Sequence, residues 1–352
     1  MDFASLNYSR RGLGRLALAV LPGARLLAKP NSKIGGVQIG INVPYSFRNM
    51  AASGDEILQK AVQLGLSAVE LRSQPVEVSM GAPANLLPNM GGGRRGNPGA
   101  GPEGVQAKAG AEPGGLPAGR KGGGRAPLTP EQQAAQRERA EALRKWRLAA
   151  PMDRAKAFRK KYEDAGVLIQ IVKIDGIDAV SDEEVDYCFD LAKGLGAKAI
   201  SCEIPLSRTK RLGAFGEKHK MRIGYHGHTD ITSPEAFGSP ESWEKAMAFS
   251  KYNCINLDIG HFVAANNYSP AEYLKKHHDR VTHVHIKDRK KDMGLNTPFG
   301  QGDTPIKEIL QLMKKEKYDF QATIEFEYRV PDGSELMAEI QKCVDYCRNA
   351  LG

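Results

Sequence analysis

From residue 37 onward, short apolar runs with alternating polarity give way to longer runs with helical spacing, and the exchange repeats to the end of the chain. VQIGINV (37–43) predicts a strand. SGDEILQKAVQLGLSAVELRS predicts a helix with Ile57, Ala61, Val62 and Leu64 on its apolar face, ended by Gly65, and then a strand. VLIQIVKI (167–174) predicts a third strand. The helix after it is capped by Ser181, with Glu184 three residues on as a capping box. KAISCEIP, MRIGYHGH, INLDIG, VTHVHIKD and ATIEFEY continue as strands. The helical patterns SPESWEKAMAFS, SPAEYLKKH, PIKEILQLMKKEKY and SELMAEIQKCVDYCRNAL follow the last four of them. Strands are thus predicted to begin at 37, 68, 167, 198, 221, 255, 281 and 321, each followed by helix. That count and order define an α/β chain folded as a (β/α)8, or TIM, barrel, with its working face at the C-terminal ends of the strands.

Two stretches break the alternation. Residues 80–127 are dominated by Gly, Pro, Ala and Arg, cannot build a core, and are expected to form a disordered insert after strand two. The insert leaves the barrel at its working face. Residues 128–164 are helical: Leu128-Thr129-Pro130-Glu131 supplies a cap and a first-turn proline, and a second helix runs from Met152 to Asp164. The other stretch is 1–36, where Arg10-Arg11 precedes a modest apolar run, Leu13 to Leu21. It resembles a twin-arginine signal and predicts export to the periplasm, with a cytoplasmic protein as the alternative. The barrel is therefore expected over 37–352.

The net charge of +9 changes meaning once divided. Residues 1–36 carry +5 and residues 81–161 carry +10, so the remainder carries −6. An acidic body argues against a nucleic-acid groove. No apolar run is long enough to span a membrane. The five cysteines form no CxxC pair and fall in predicted strands and helices, as buried thiols rather than a disulfide framework.

The candidate chemistry gathers at the strand ends. Asn256 to Asp288 holds an Asp-x-x-His step, Asp258 to His261, and then His283-Val284-His285-Ile286-Lys287-Asp288. Strand alternation puts His283, His285 and Lys287 on one face. SCEIP around Glu203, YHGHTD around His226 and His228, and TIEFEY around Glu325 and Glu327 repeat the theme. Converging carboxylates and imidazoles predict one divalent ion: Mn2+ is favoured, with Mg2+, Co2+, Fe2+ or Zn2+ as alternatives. Such an ion chelates a hydroxyl and an adjacent carbonyl of a sugar while a base removes the proton between them. Glu203, His228 and Glu327 are the candidate bases, and His261 and Lys287 are candidates to bind substrate oxygens or donate protons. Glu327 has a structural alternative, a salt bridge to Arg329 or Lys287. His283 is expected to orient a neighbour rather than ligate, and Tyr225, on the opposite strand face from His226, to be core.

Together, AVELRS, CEIP, GYHGH, LDIGH, HVHIKD, FGQGDTPI and IEFEY resemble the sugar phosphate isomerase/epimerase family, with its xylose-isomerase-like TIM barrel, over 37–352 outside the insert. The resemblance implies one divalent ion, often manganese, held by Asp258, His285 and Glu325. His226, expected as the fourth ligand, stands where ketose epimerases of the family carry a Glu that is both ligand and acid/base. That departure leaves Glu203 or His228 to take over the missing role. The implied activity is a metal-dependent sugar isomerase or epimerase acting beside a carbonyl. A keto-glycoside lyase or hydrolase on the same site, an apurinic-endonuclease-like nuclease with three metals, and a non-catalytic sugar-binding barrel are the alternatives. Export favours an unphosphorylated sugar or keto-sugar as substrate.

Overall fold

The computed structural model describes residues 29–87 and 128–352. The twin-arginine segment and most of the predicted insert lie outside the described residues. Eight parallel strands form the barrel: β1 (Val37–Val43), β2 (Ala68–Arg72), β3 (Leu168–Lys173), β4 (Ala199–Cys202), β5 (Arg222–His226), β6 (Asn253–Asp258), β7 (Val281–Ile286) and β8 (Gln321–Ile324). The barrel is closed because β1 pairs with both β2 and β8, placing Ile41 beside Val69 on one side and Ile324 on the other. Short antiparallel pairings add Lys33–Ile34 to β1 and join Asp288–Arg289 to Asn296–Thr297.

Strand alternation divides the protein into two layers. Ile39, Ile41, Val69, Leu71, Ile200, Ile223, Leu257, Val284 and Ile324 belong to one continuous apolar core with the surrounding helices. The barrel interior is polar instead: Asn42, Glu70, Ser201, Asn256, His283 and His285 are all buried. Buried polar groups need partners, and here they find one another across strands, as Asn256 Nδ2 does in donating to Ser201 Oγ at 3.1 Å.

The helices are α1 (Gly54–Gln63), α2 (Ser73–Met80), α3 (Pro130–Leu148), α4 (Met152–Asp164), α5 (Asp182–Gly194), α6 (Thr209–His219), α7 (Pro240–Phe249), α8 (Ile259–Asn266), α9 (Ala271–His277), α10 (Ile306–Glu316) and α11 (Leu336–Leu351). Ser181 and Glu184 form the expected capping box of α5, and Thr129 forms one with Gln132 at α3. None of the helices among the described residues is long and apolar enough to cross a membrane. All five cysteines are free and buried, and Tyr225 is core, its hydroxyl donating to Asn253 Oδ1 at 2.7 Å.

Two helices depart from the sequence expectation. Both α2 and α8 start directly off the end of a strand, leaving no loop to mark the change. Within α8, IGHFVAAN is buried almost throughout, so it lacks the polar stripe that identifies a surface helix. The insert is also shorter than its composition implies. Met80 closes α2, and Ala82 and Leu87 are buried in a small apolar cluster with Leu143, against which Leu86 and Trp146 pack. Residues 80–87 therefore belong to the packed body.

Candidate functional site

Register brings the central side chains together. Asp258 ends β6 opposite His285 of β7, and β8 runs beside β7 with Ile324 opposite Ile286, so Glu325 emerges one residue higher. Asp258 also caps α8, Oδ1 accepting from the His261 backbone N–H at 2.7 Å. Its other oxygen, Oδ2, faces the barrel axis. There it lies 3.3 Å from His226 Nε2 and 3.8 Å from His285 Nδ1. Glu325 Oε2 completes the ring, 3.3 Å from His285 Nδ1 and 3.8 Å from His226 Nε2, while Asn42 Nδ2 donates to Oε1 at 2.9 Å.

These four residues fit a single ion. Donor atoms 3.3–3.8 Å apart are spaced like neighbours around one metal, whose bonds run about 2.0–2.2 Å. Moreover, His285 Nδ1 is buried with no hydrogen-bond partner, a state that costs free energy unless something binds there. Without a metal, His285 is pushed up to about 10: burial opposes its charge, but the Glu70 and Glu325 carboxylates outweigh it. Among the described residues, three groups have ligand atoms all within 4.8 Å of one another: His226, Asp258, His261 and Glu325; Glu70, His283 and His285; and Glu203, His226 and His228.

Lys287 stands beside these carboxylates. Its Nζ is 2.6 Å from Glu325 Oε2, 3.0 Å from Asp258 Oδ2, 2.6 Å from Glu327 Oε2 and 2.9 Å from His261 Nε2. Burial works against the ammonium, yet Asp258, Glu325 and Glu327 raise its pKa well above the usual lysine range. Glu327 also accepts from the Tyr45 hydroxyl and from Asn296 Nδ2 at 3.3 Å, whereas Arg329 pairs with Asp332 instead. His261 lies between Lys287 and Arg289, whose Nη1 is 2.7 Å from Nδ1. Burial, and then Lys287, hold its pKa well below the ordinary imidazole value. Gly260 allows this packing, because a Cβ there would overlap the Lys287 side chain.

Glu203 and His228 lie past the ends of β4 and β5, on the opposite side of the mouth from Glu327. Glu203 receives Lys173 Nζ at 2.6 Å and faces His226 Nδ1 and His228 Nε2, each at 3.1 Å. Its side chain is still 42% exposed. Crowding opposes its charge, but Lys173 and His228 hold the carboxyl well below the usual range. The GQGD turn lies beside the mouth, with the Gly300 and Gly302 N–H groups donating to Asp288 Oδ2 at 2.7 and 2.9 Å.

The candidate ligands, bases and substrate-binding residues are thus brought to one mouth, but three important residues were missed. Glu70 of β2 lies under His285, with Oε2 2.6 Å from Nε2. Lys173 is fully buried and is the partner of Glu203. Arg289 supports His261. The signal for the first two was available: each is a charged residue inside an otherwise apolar strand. Taken together, Glu70, Asp175, Glu203, Asp258, Glu325 and Glu327 face Arg72, Lys173, Lys287 and Arg289 as permanent cations.

A parallel eight-stranded barrel with clustered His, Asp and Glu donors at its strand ends has the constitution of a metal-dependent enzyme. The family model described as the xylose isomerase-like TIM barrel matches residues 202–347, and over that stretch the chain is similar to that family. Among curated relatives, the inosose dehydratase of Clostridium botulinum (strain Eklund 17B / Type B) is 27% identical over 136 residues, 33% of this chain and 44% of that protein. The chain thus matches less than half the length of this relative. Two solved structures share the fold. D-psicose 3-epimerase with D-tagatose from Clostridium cellulolyticum H10 has a TM-score of 0.56 at 11% identity, covering 90% of this chain and 99% of that one. The probable 3-DHS dehydratase AsbF from Bacillus anthracis has a TM-score of 0.53 at 13% identity, covering 88% and 99%.

Proposed function

We propose that this protein is a divalent-metal-dependent enzyme that removes a proton beside the carbonyl of an unphosphorylated sugar or keto-sugar, as an isomerase or epimerase. The observation that carries this reading is the convergence of His226, Asp258, His285 and Glu325 donor atoms at 3.3–3.8 Å, with Glu203 on one side and Lys287–Glu327 on the other. Two imidazoles with two carboxylates suit Mn2+, Fe2+, Co2+ or Zn2+, and Mn2+ remains the favoured ion over Mg2+. When bound, the ion polarises the carbonyl and offsets negative charge as it develops on oxygen.

The chain's own residues supply the rest. Glu203, kept ionised by Lys173, is placed to take the proton, with His228 to pass it to solvent. Lys287 and His261 hold substrate oxygens from the opposite side, and Glu327 keeps Lys287 oriented. With His226 in place of a ligand carboxylate, Glu203 just past β4 and Glu327 just past β8 are the carboxylates offered for acid/base work. Two opposed acid/base groups serve epimerisation, one on each face of the carbon.

A second reading is favoured by the relatives named inosose dehydratase. Glu203 again takes the proton beside the carbonyl, and Glu327 or Lys287 protonates the hydroxyl leaving from the next carbon, which departs as water. Both readings predict a neutral substrate, because Arg72, Lys173 and Lys287 each already face a carboxylate and are not left over for a phosphate. Incubating Mn2+-loaded protein with a panel of keto-sugars and inososes in D2O tests them together. Deuterium uptake without loss of water supports isomerisation or epimerisation, and an unsaturated product supports elimination. Neither outcome with any neutral ketone contradicts the proposal. Export is a separate part of it, checked by fractionation of cells expressing the full chain and an Arg10→Lys, Arg11→Lys variant.

A further inference from the structure

We infer that Glu70 is a positioning residue for the donor set, fixing His285 in the one tautomer that presents a bare Nδ1 to Asp258 and Glu325. The inference rests on the reading that those residues hold a divalent ion. Glu70 Oε2 lies 2.6 Å from His285 Nε2, and both side chains are fully buried. A contact of 2.6 Å needs a proton between the two atoms, and with the carboxylate as acceptor that proton sits on Nε2. A bound ion replaces the second imidazole proton, and with Nε2–H held by Glu70 it is Nδ1 whose lone pair is free to take the ion. The same Nδ1 is the buried nitrogen without a hydrogen-bond partner.

Two neighbours compete for the same atoms. Asn256 Nδ2 lies 3.3 Å from His285 Nε2 and would ask for a lone pair there. The carboxylate contact is 0.7 Å shorter and charge-assisted, about twice as strong as a neutral bond, and it prevails. His283 Nε2 is 3.3 Å from the same Glu70 oxygen. However, the Thr282 hydroxyl donates to the Ile255 carbonyl at 3.1 Å, so at 2.9 Å it accepts from His283 Nδ1–H. That leaves His283 Nε2 unprotonated and without a hydrogen-bond partner, and Glu70 is free to serve His285 alone.

The arrangement has a counterpart one strand away. Asn42 of β1 is the register partner of Glu70 on β2, and Asn42 donates to Glu325 Oε1 at 2.9 Å. Neighbouring side chains on one wall thus orient two donors carried by β7 and β8. A carboxylate behind a ligating imidazole also raises its basicity, and removing such a partner typically weakens metal binding by about 10–100-fold.

The test uses the full chain with 15N-labelled histidine and Zn2+ as a diamagnetic probe. In wild-type protein, imidazole NMR should place the His285 proton on Nε2, slow to exchange, with Nδ1 shifted by the ion. Glu70→Gln keeps an accepting oxygen and should weaken Zn2+ binding about tenfold, and Glu70→Leu, which keeps none, about a hundredfold. A His285 that binds Zn2+ through Nε2, or Glu70 variants that bind within twofold of wild type, overturns this inference alone. The wild-type spectrum decides even if a variant fails to fold. Wild-type protein that takes up no divalent ion overturns the donor-set reading and this inference with it.

Discussion

Lys287 Nζ lies 2.6 Å from Glu325 Oε2, on the oxygen that also faces His226 and His285. The ammonium and a divalent ion therefore compete for the same carboxylates. Like charges about 4 Å apart interact by about 4 kcal/mol at an effective dielectric of 20, and each 1.4 kcal/mol is a factor of ten. Part of this is relieved because Glu327 holds the ammonium from the other side at 2.6 Å. Lys287→Met should accordingly bind Mn2+ at least about tenfold more tightly by calorimetry while losing activity. Unchanged or weaker binding contradicts this placement of the lysine.

Asp258 does two jobs that substitution separates. Asn keeps the oxygen that caps α8 and removes the charge, whereas Ala removes both. Asp258→Asn should lose the metal and retain its melting temperature. Asp258→Ala should lose the metal and also about 1 kcal/mol of stability, the usual value of a cap. Equal melting temperatures for the two variants would remove the cap from the account.

Glu203 and His228 are distinguished by Lys173. A buried ammonium deprived of its partner destabilises by up to about 3–5 kcal/mol, less here because Glu203 remains partly exposed. Glu203→Gln should therefore lower the melting temperature more than His228→Asn. As the base, it should also slow deuterium exchange about 10²–10⁴-fold while keeping metal. Loss of metal instead makes Glu203 a ligand and His228 the leading base.

Composition and packing disagree over the insert, and deletions locate the boundary. Replacing 88–127 with a short Gly-Ser linker should leave the melting temperature nearly unchanged, since this composition lacks the aliphatic residues that offset ordering entropy. Leu87→Ala should cost about 2 kcal/mol, because Leu87 is buried with Ala82 and Leu143. Arg147→Met should cost more, about 3–5 kcal/mol, by stranding Glu77 and Glu184, now 2.9 and 3.2 Å from its guanidinium. Denaturant unfolding of the three variants checks this order.

The barrel was legible because its strands are short, apolar and evenly separated by amphipathic helices. Strand starts fell within two residues of those observed, Asn253 rather than 255 being the largest shift. The helix α8 was not legible, since a buried helix beginning at the last strand residue has neither stripe nor loop to reveal it. Site residues at strand ends were legible from their interruption of apolar runs. Glu70 carried the same signal within AVELR. Its partner His285 lies 215 positions away, however, and only barrel closure brings the two into contact.

The central claim is one divalent ion held among His226, Asp258, His285 and Glu325. Elemental analysis of full-length protein after reconstitution with Mn2+ and removal of free metal tests it most directly. One ion per wild-type chain and none in Glu325→Gln is the expected result. No ion in the wild type, or three ions per chain as a trinuclear nuclease requires, would contradict it.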